Sequence, residues 1–436
     1  MMPREDVGWR AGGREHNLMA RRTPNSMSDV SMSSTLFTPI RAERYRARER
    51  LSELIAPPYD VVSPEARSAL ASRSPHNIVH LTLPEGSPDR YTAAARVLAQ
   101  WRAADVLERD ADPALYVIQQ EFLTPGGQAH VRTGVIGGVL AEGYESRRVR
   151  PHERTHRGPK EDRLALGRAT RTAVEPILVL TRDARDHLRR RLDGVTRHEP
   201  TAVAELDGVG VGIWRVSGVQ AVEVARAVGD GPVYIADGHH RYETATTLRA
   251  ELPTALRIPA LVVPVRDPGL VVLATHRLVH GAPVDVAGMM PAWSECFVVE
   301  RREPELDPQG MLDALGPRPA AVVVLPDGQV LALSARTDHD GELEIAVVER
   351  EIVQRLTRAA GSEASVSYAA VPGEVFDAVA RGASAGVLVR ATPAERVLMV
   401  ADAEGIMPPK STYFAPKVPS GLVILPFDDE PGGAAP

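Results

Sequence analysis

Pro232-Val233-Tyr234-Ile235-Ala236-Asp237-Gly238-His239-His240-Arg241 is the stretch that organises the rest of the chain. The apolar run that ends at Ala236 has strand composition, Asp237-Gly238 is a turn signal, and Arg241 to Glu251 has helical composition. Strand, tight turn and helix follow in that order. A glycine at such a turn lets backbone amides point at an anion, and the helix dipole adds partial positive charge. Arg241 supplies a planar fork of donors suited to a phosphate. The competing interpretation makes Asp237 a helix cap and leaves both histidines on the surface. Four polar residues in this order after an apolar strand favour a site. Asp237, His239 and His240 are its candidate catalytic groups, and Gly238 and Arg241 bind phosphate or nucleotide.

Upstream, the spacing predicts a helix over 89–107, opened by Ser87-Pro88-Asp89, with Tyr91, Ala94, Ala95, Leu98 and Trp101 on one face. A hairpin follows, with strands over 115–122 and 131–140 around the turn Thr124-Pro125-Gly126-Gly127. Strands are predicted at 175–180 and 211–216, and helices at 183–192 and 222–228. Downstream, strands are predicted at 258–265, 270–275, 319–324, 329–333, 384–390 and 422–425, with helices near 346–359, 372–381 and 393–403. The mixture is α+β. The expected organisation is a tail over 1–34, a motif-bearing core over 35–284, a second α/β unit over 285–405, a C-terminal motif and strand over 406–427 returning to the core, and a tail over 428–436.

The run Pro151-His152-Glu153-Arg154-Thr155-His156 matches a zinc signature in which two histidines one helical turn apart hold the metal and the glutamate activates water. Pro151 and Gly158-Pro159 bracket it, leaving under two helical turns, and arginines stand where a buried zinc helix needs an apolar face. A polar loop continuing through Lys160-Glu161-Asp162-Arg163 fits better. There His152, Lys160 and Arg163 would neutralise phosphates, while Asp162 and Glu153 would hold a Mg²⁺, with Glu153 also a candidate catalytic group. Lys410, Ser411, Thr412 and Lys417 have the side chains of a phosphate loop without its Gly-x-x-x-x-Gly spacing. In a proline-stiffened loop they can still bind anions. Gly208-Val209-Gly210-Val211-Gly212 lacks the dinucleotide spacing and predicts a hairpin turn. Thr275-His276-Arg277 is a weaker candidate.

The whole chain of 436 residues is 44% hydrophobic and 25% charged, so it can bury ordinary cores, built from Val, Leu, Ile and Ala because aromatics are only 4%. A net charge of -6 gives no basic footprint for nucleic acid. No run approaches the roughly 18 apolar residues of a membrane span, and Met1 to Ser34 has no apolar stretch of a signal peptide. With Cys296 the single cysteine, internal disulfides and cysteine-rich zinc sites are excluded, and a cytoplasmic location is expected.

Pro57-Pro58-Tyr59-Asp60-Val61, His152-Glu153-Arg154-Thr155 with Asp162-Arg163, Ile235 to Arg241, Thr275-His276-Arg277 and Lys410 to Lys417 together resemble the domain-of-unknown-function family 1015, over roughly residues 35 to 427. Its Asp-Gly-His-His-Arg stretch is similar to the signature of the ParB/sulfiredoxin-like superfamily, which includes CTP-binding partition proteins, sulfiredoxins and kinases of free serine. The resemblance implies a ParB/sulfiredoxin-like core with a phosphate held at the helix start. Sulfiredoxin chemistry needs a cysteine where His239 and His240 stand, and a partition protein needs a helix-turn-helix reader that this sequence lacks. The serine-kinase branch is the nearest analogue. The expected activity is a phosphotransferase acting on a small hydroxylated metabolite such as free serine or phosphoserine, with nucleotide or pyrophosphate as donor and Mg²⁺ as helper. Two alternatives stand beside it: a nucleotide-binding regulatory protein without turnover, and a zinc hydrolase through His152, Glu153 and His156. Partners are a small-molecule substrate, with no nucleic acid or membrane, and a homo-oligomer is left open.

Overall fold

The computed structural model describes residues 34–86, 89–155, 157–303, 308–339 and 341–427. The fold set out below is that of the unit beginning at Leu36. The expected tails over 1–34 and 428–436, the helix-opening Ser87-Pro88 and His156 lie, apart from Ser34, outside the described residues.

A nine-stranded sheet carries the site. Its strands are β1 (Phe37–Thr38), β2 (Ala114–Leu123), β3 (Ala129–Leu140), β4 (Val149–Arg150), β5 (Ile177–Thr181), β6 (Ala202–Leu206), β7 (Val209–Ser217), β8 (Val233–Asp237) and β9 (Arg257–Pro264). The order is β4-β8-β5-β9-β3-β2-β7-β6, with β1 paired to β3. Strands β4 and β8 run parallel, as do β5 and β9, and the other pairs are antiparallel. The β2–β3 hairpin forms where the alternation predicts it, with Tyr116 opposite Ile136. Asp207 and Gly208, both at positive φ, turn β6 into β7.

Both faces of this sheet are buried, because alternate residues of its central strands are apolar on both sides. Leu115, Val117, Ile177, Val179, Ile258 and Ala260 face one core. Tyr116, Ile118, Leu178, Leu180, Leu261 and Val263 face the other. Helices α1 (Arg90–Ala103), α2 (Arg157–Thr170), α3 (His187–Thr196), α4 (Gly218–Val228) and α5 (His239–Glu251) close over these faces. Leu188, Leu192, Ala221 and Val224 of α3 and α4 fill the first core, and Leu98, Trp101 and Leu166 of α1 and α2 join the second. Each fully buried Leu or Val contributes about 1.5–3 kcal/mol over its exposed state.

Two local differences from the sequence reading have physical causes. Helix α3 starts at His187 instead of 183 because the Asp183 carboxylate accepts the amides of Leu188 (3.1 Å) and Arg189 (3.0 Å), capping the helix from outside. The polar loop expected through Lys160-Glu161-Asp162-Arg163 is instead helix α2, with Pro159 tolerated in its first turn. Its buried stripe is Arg163, Leu166, Gly167 and Thr170, a helical spacing whose first member is a cation.

A second sheet of six antiparallel strands comprises β10 (His276–His280), β11 (Phe297–Arg302), β12 (Ala320–Val324), β13 (Val330–Ala335), β14 (Ser365–Ala369) and β15 (Ala385–Leu388). Their order is β11-β13-β12-β15-β10-β14, so the strand at 276–280, ahead of residue 285, sits inside this sheet. One apolar cluster runs continuously from Tyr116 and Ile118 of the first sheet to Val323, Leu333 and Val387 of the second. The C-terminal segment then returns. Tyr413–Ala415 pairs with Val271–Leu273, Leu425–Pro426 pairs with Thr172–Ala173, and bridges tie Ser420 to Ala56 and Ile424 to Glu43. Of the strand expected at 422–425, only Leu425 falls in a paired strand, with Ile424 held by its isolated bridge. Among the described residues no helix is long and apolar enough to cross a membrane.

Candidate active site

Strand β8 ends at Asp237 and α5 begins at His239, so Gly238 alone makes the turn, at φ 95°. A Cβ there would approach Ile177 Cγ2 to 2.7 Å and Arg241 Cζ to 3.1 Å. Gly238→Ala is therefore expected to destabilise the fold by roughly 1–3 kcal/mol, from left-handed strain plus this close approach. Chemical denaturation reads the effect directly, and an unchanged midpoint would contradict it.

The turn opens on a cleft of about 970 Å³ whose walls include Glu153, Asp237, Gly238, His239, His240, Arg241, Lys410, Thr412 and Lys417. Segments far apart in sequence thus meet in one place, as loops at strand ends commonly do. The 407–417 segment is docked by specific bonds. Met407 donates its amide to the His152 carbonyl at 2.9 Å, the Lys410 amide donates to the Glu153 carboxylate, and His152 Nε2 lies 3.3 Å from Thr412 Oγ1. Beneath Lys417, buried Arg132 donates to the carbonyls of Ala415 (3.2 Å) and Pro416 (2.5 Å), and Gln120 donates to that of Lys417 (3.1 Å).

Asp237 is the electrostatic centre. Arg241 Nη2 donates to its Oδ2 at 2.6 Å, and Lys417 Nζ donates to its Oδ1. Burial by itself would raise the Asp237 pKa, but the charges of Lys417 and Arg241 outweigh it and hold the carboxyl well below the usual range. A carboxylate so strongly ionised is a poor proton acceptor, which removes Asp237 from the candidate bases. Arg241 is likewise turned inward. Nη1 donates to the Pro176 carbonyl and Nη2 to Asp237, so the fork expected to grip phosphate holds the wall of the cleft together.

Glu153 behaves in the opposite way. Burial raises its pKa, against the opposing pull of Lys410, so this carboxyl takes up a proton more readily than an ordinary one. His239 is buried and accepts the His152 amide on Nε2 at 3.4 Å, and the two imidazoles meet edge to face at 4.7 Å. Burial lowers both pKa values, His152 to about 4. Both rings are neutral near pH 7. Between pH 6.5 and 4 the unfolded chain binds a proton at position 152 that the folded chain refuses, so stability falls on acidification by about 1.4 kcal/mol per pH unit at full effect. The loss of stability from pH 7 to pH 5 should be smaller by roughly 1–2 kcal/mol in His152→Leu. Urea titrations at the two pH values test this, and equal losses would show that His152 is not the group responsible.

Several expected site residues lie elsewhere. Lys160 pairs with Glu243 at 2.8 Å. Asp162 accepts from Tyr91 (2.7 Å), Arg90 (2.6 Å) and Arg163 (2.5 Å). Arg163 is buried, reaches Glu175 at 3.2 Å and stacks 4.1 Å over the Tyr59 ring. Ser411 is buried and donates to the Pro408 carbonyl at 2.6 Å. His152 stands behind the wall. Pro151 to Thr155 is not helical, so the two-histidine turn of the zinc signature is not formed over the described residues. With its oxygens engaged by three donors, Asp162 does not fit a Mg²⁺ site shared with Glu153, and among the described residues no group of three or more His, Cys, Asp or Glu could hold a metal.

Other wall residues were not among the site residues expected from the sequence, although Tyr59, Asp60 and Tyr413 fall in motifs that carry the family resemblance. Tyr59 and Asp60 reach the cleft because buried Glu175 accepts the Tyr59 amide (3.0 Å) and the Ser420 hydroxyl (3.1 Å), pinning the Pro57-Pro58 loop. Tyr368 and Tyr413 also line it. The paired prolines were the available signal for the first two.

Residues 37–358, more than half of the chain, match the family model described as Protein of unknown function (DUF1015). The chain belongs to the DUF1015 family. The DUF1015 match includes Glu153 and the Asp237–Arg241 turn and stops short of Lys410 and Lys417. No curated protein matches the sequence. Among solved structures, similarity is found to a free serine kinase in complex with AMP (14% identity, 65% of this chain and 87% of that one, TM-score 0.36). A conserved hypothetical protein from Pyrococcus furiosus (15%, 68% and 97%, TM-score 0.36) and SbnI with C-terminal truncation from Staphylococcus aureus (12%, 66% and 86%, TM-score 0.36) are similar at the same level. At these scores the likenesses assign no role to any residue of this DUF1015 chain.

Proposed function

We propose that the cleft transfers a phosphoryl group between a nucleotide or pyrophosphate and a small hydroxylated metabolite, free serine among the candidates. One observation carries this reading: Gly238 and His240 at the start of α5, Lys410 and Lys417 line the same cleft as Glu153, a carboxyl with raised proton affinity. Phosphoryl transfer asks a protein mainly for charge neutralisation and positioning, and that is the chemistry this set provides. The α5 amides and Lys417 hold the phosphate, Lys410 covers it from the loop, and Glu153 takes the acceptor's hydroxyl proton. Asp237 and Arg241 hold Lys417 in place. No step is routed through a metal.

The test is to incubate purified protein with amino acids and other hydroxylated metabolites and with ATP, ADP or pyrophosphate, following phosphate by mass spectrometry. A phosphorylated acceptor whose formation is lost in Lys417→Met supports the reading. Saturable nucleotide binding without product would make the protein a nucleotide-responsive regulator, and no binding of any phosphate compound would overturn the proposal.

A further inference from the structure

A second concavity of about 920 Å³ adjoins the charged cleft, sharing Val61, Tyr413 and Lys417 with it as common wall. Its chemistry is different. Phe122, Leu123, Val209, Leu273, Pro416 and Pro419 give it an apolar surface, and Lys417 and Asp207 are its charged lining residues. Leu123 is 68% exposed there, a large apolar side chain left facing water at the rim. Such a surface has no use for a wholly anionic ligand.

The position of the shared wall decides which end of the ligand the groove serves. Lys417 sits 4.5 Å over the Tyr413 ring, and these two residues separate the groove from Asp237 and the Gly238 turn. Glu153, Thr275 and Tyr368 belong to the cleft and are absent from the groove. The groove therefore meets the cleft at Lys417, a residue assigned to the phosphate, while Glu153, where the proton is taken, does not line it. We infer that it holds the nucleoside part of the donor, so that the donor is a nucleotide and not inorganic pyrophosphate. The inference rests on the phosphotransferase reading and narrows it. Prolines and aromatic edges offer a base a stacking surface. The side-chain amide of Gln120 is engaged by Lys417 and Arg132, so the base is held by its face, and discrimination among bases is weak.

Calorimetric titration of the full chain with ADP, GDP and inorganic pyrophosphate tests this. Both nucleotides should bind at least tenfold more tightly than pyrophosphate. Val209→Trp, which fills the groove, and Leu123→Ser, at an exposed position that the fold does not need, should each weaken ADP while leaving pyrophosphate within twofold. Equal affinity of the wild type for ADP and pyrophosphate, or equal losses for both ligands in the two variants, would overturn the groove assignment alone. Binding of neither ligand to the wild type would overturn the phosphate reading along with it.

Discussion

Asp237→Ala is expected to destabilise the protein by about 3–5 kcal/mol, because it leaves two cations with a shared counter-ion facing each other across an empty position. Arg241 is 6% exposed and Lys417 15%, so water cannot replace the lost carboxylate well. The same geometry fixes the pH dependence. The carboxyl is held below its unfolded value, so its contribution is complete above about pH 4 and is lost as pH falls through the depressed folded value. Arg241→Lys should act in the same direction with a smaller loss, since it keeps the charge and gives up the contact to the Pro176 carbonyl. Urea denaturation at pH 7 measures both. A loss below about 1 kcal/mol for Asp237→Ala would mean that the three charges are not coupled through the carboxylate.

Glu153→Gln is expected to lower phosphoryl transfer by roughly 10²–10⁴-fold while leaving the melting temperature unchanged or slightly raised. The glutamine keeps the shape and cannot accept a proton. Stability should not fall, because burial already disfavours the charged form that the substitution removes. The wild-type rate should rise with pH through a value above the ordinary carboxylate range, and that limb should vanish in the variant. A variant retaining more than half of the wild-type turnover would remove Glu153 as the proton acceptor.

The strand-turn-helix at 233–251 and the β2–β3 hairpin were legible because their signals are local: alternation, a glycine, and capping and turn residues within a few positions. The mixed α+β class was legible for the same reason, from short patterns. Helix α2 was not, since its buried stripe begins with Arg163, whose burial depends on Glu175 and on the ring of Tyr59, partners 12 and 104 positions away. The orientation of Arg241 was hidden in the same manner. Nothing in its neighbourhood announces that Lys417 will arrive on the far side of Asp237, or that the Pro176 carbonyl will take its other nitrogen. The placement of Asp60, Tyr368 and the 276–280 strand also depends on pairing between distant segments, which spacing does not encode.

The C-terminal strap has a consequence for biosynthesis. Residues 407–426 contact Glu43, Ala56, His152, Thr172 and Val271, so they sew together parts of the chain made at very different times. A ribosome has released the first sheet's strands long before Lys410 and Lys417 leave the exit tunnel. Until then Asp237 has Arg241 as its counter-charge and lacks the second, Glu153 lacks the amide that caps it, and the apolar groove has no Tyr413 or Pro416 wall. The nascent protein thus carries a half-built pocket until residues 407–417 have emerged.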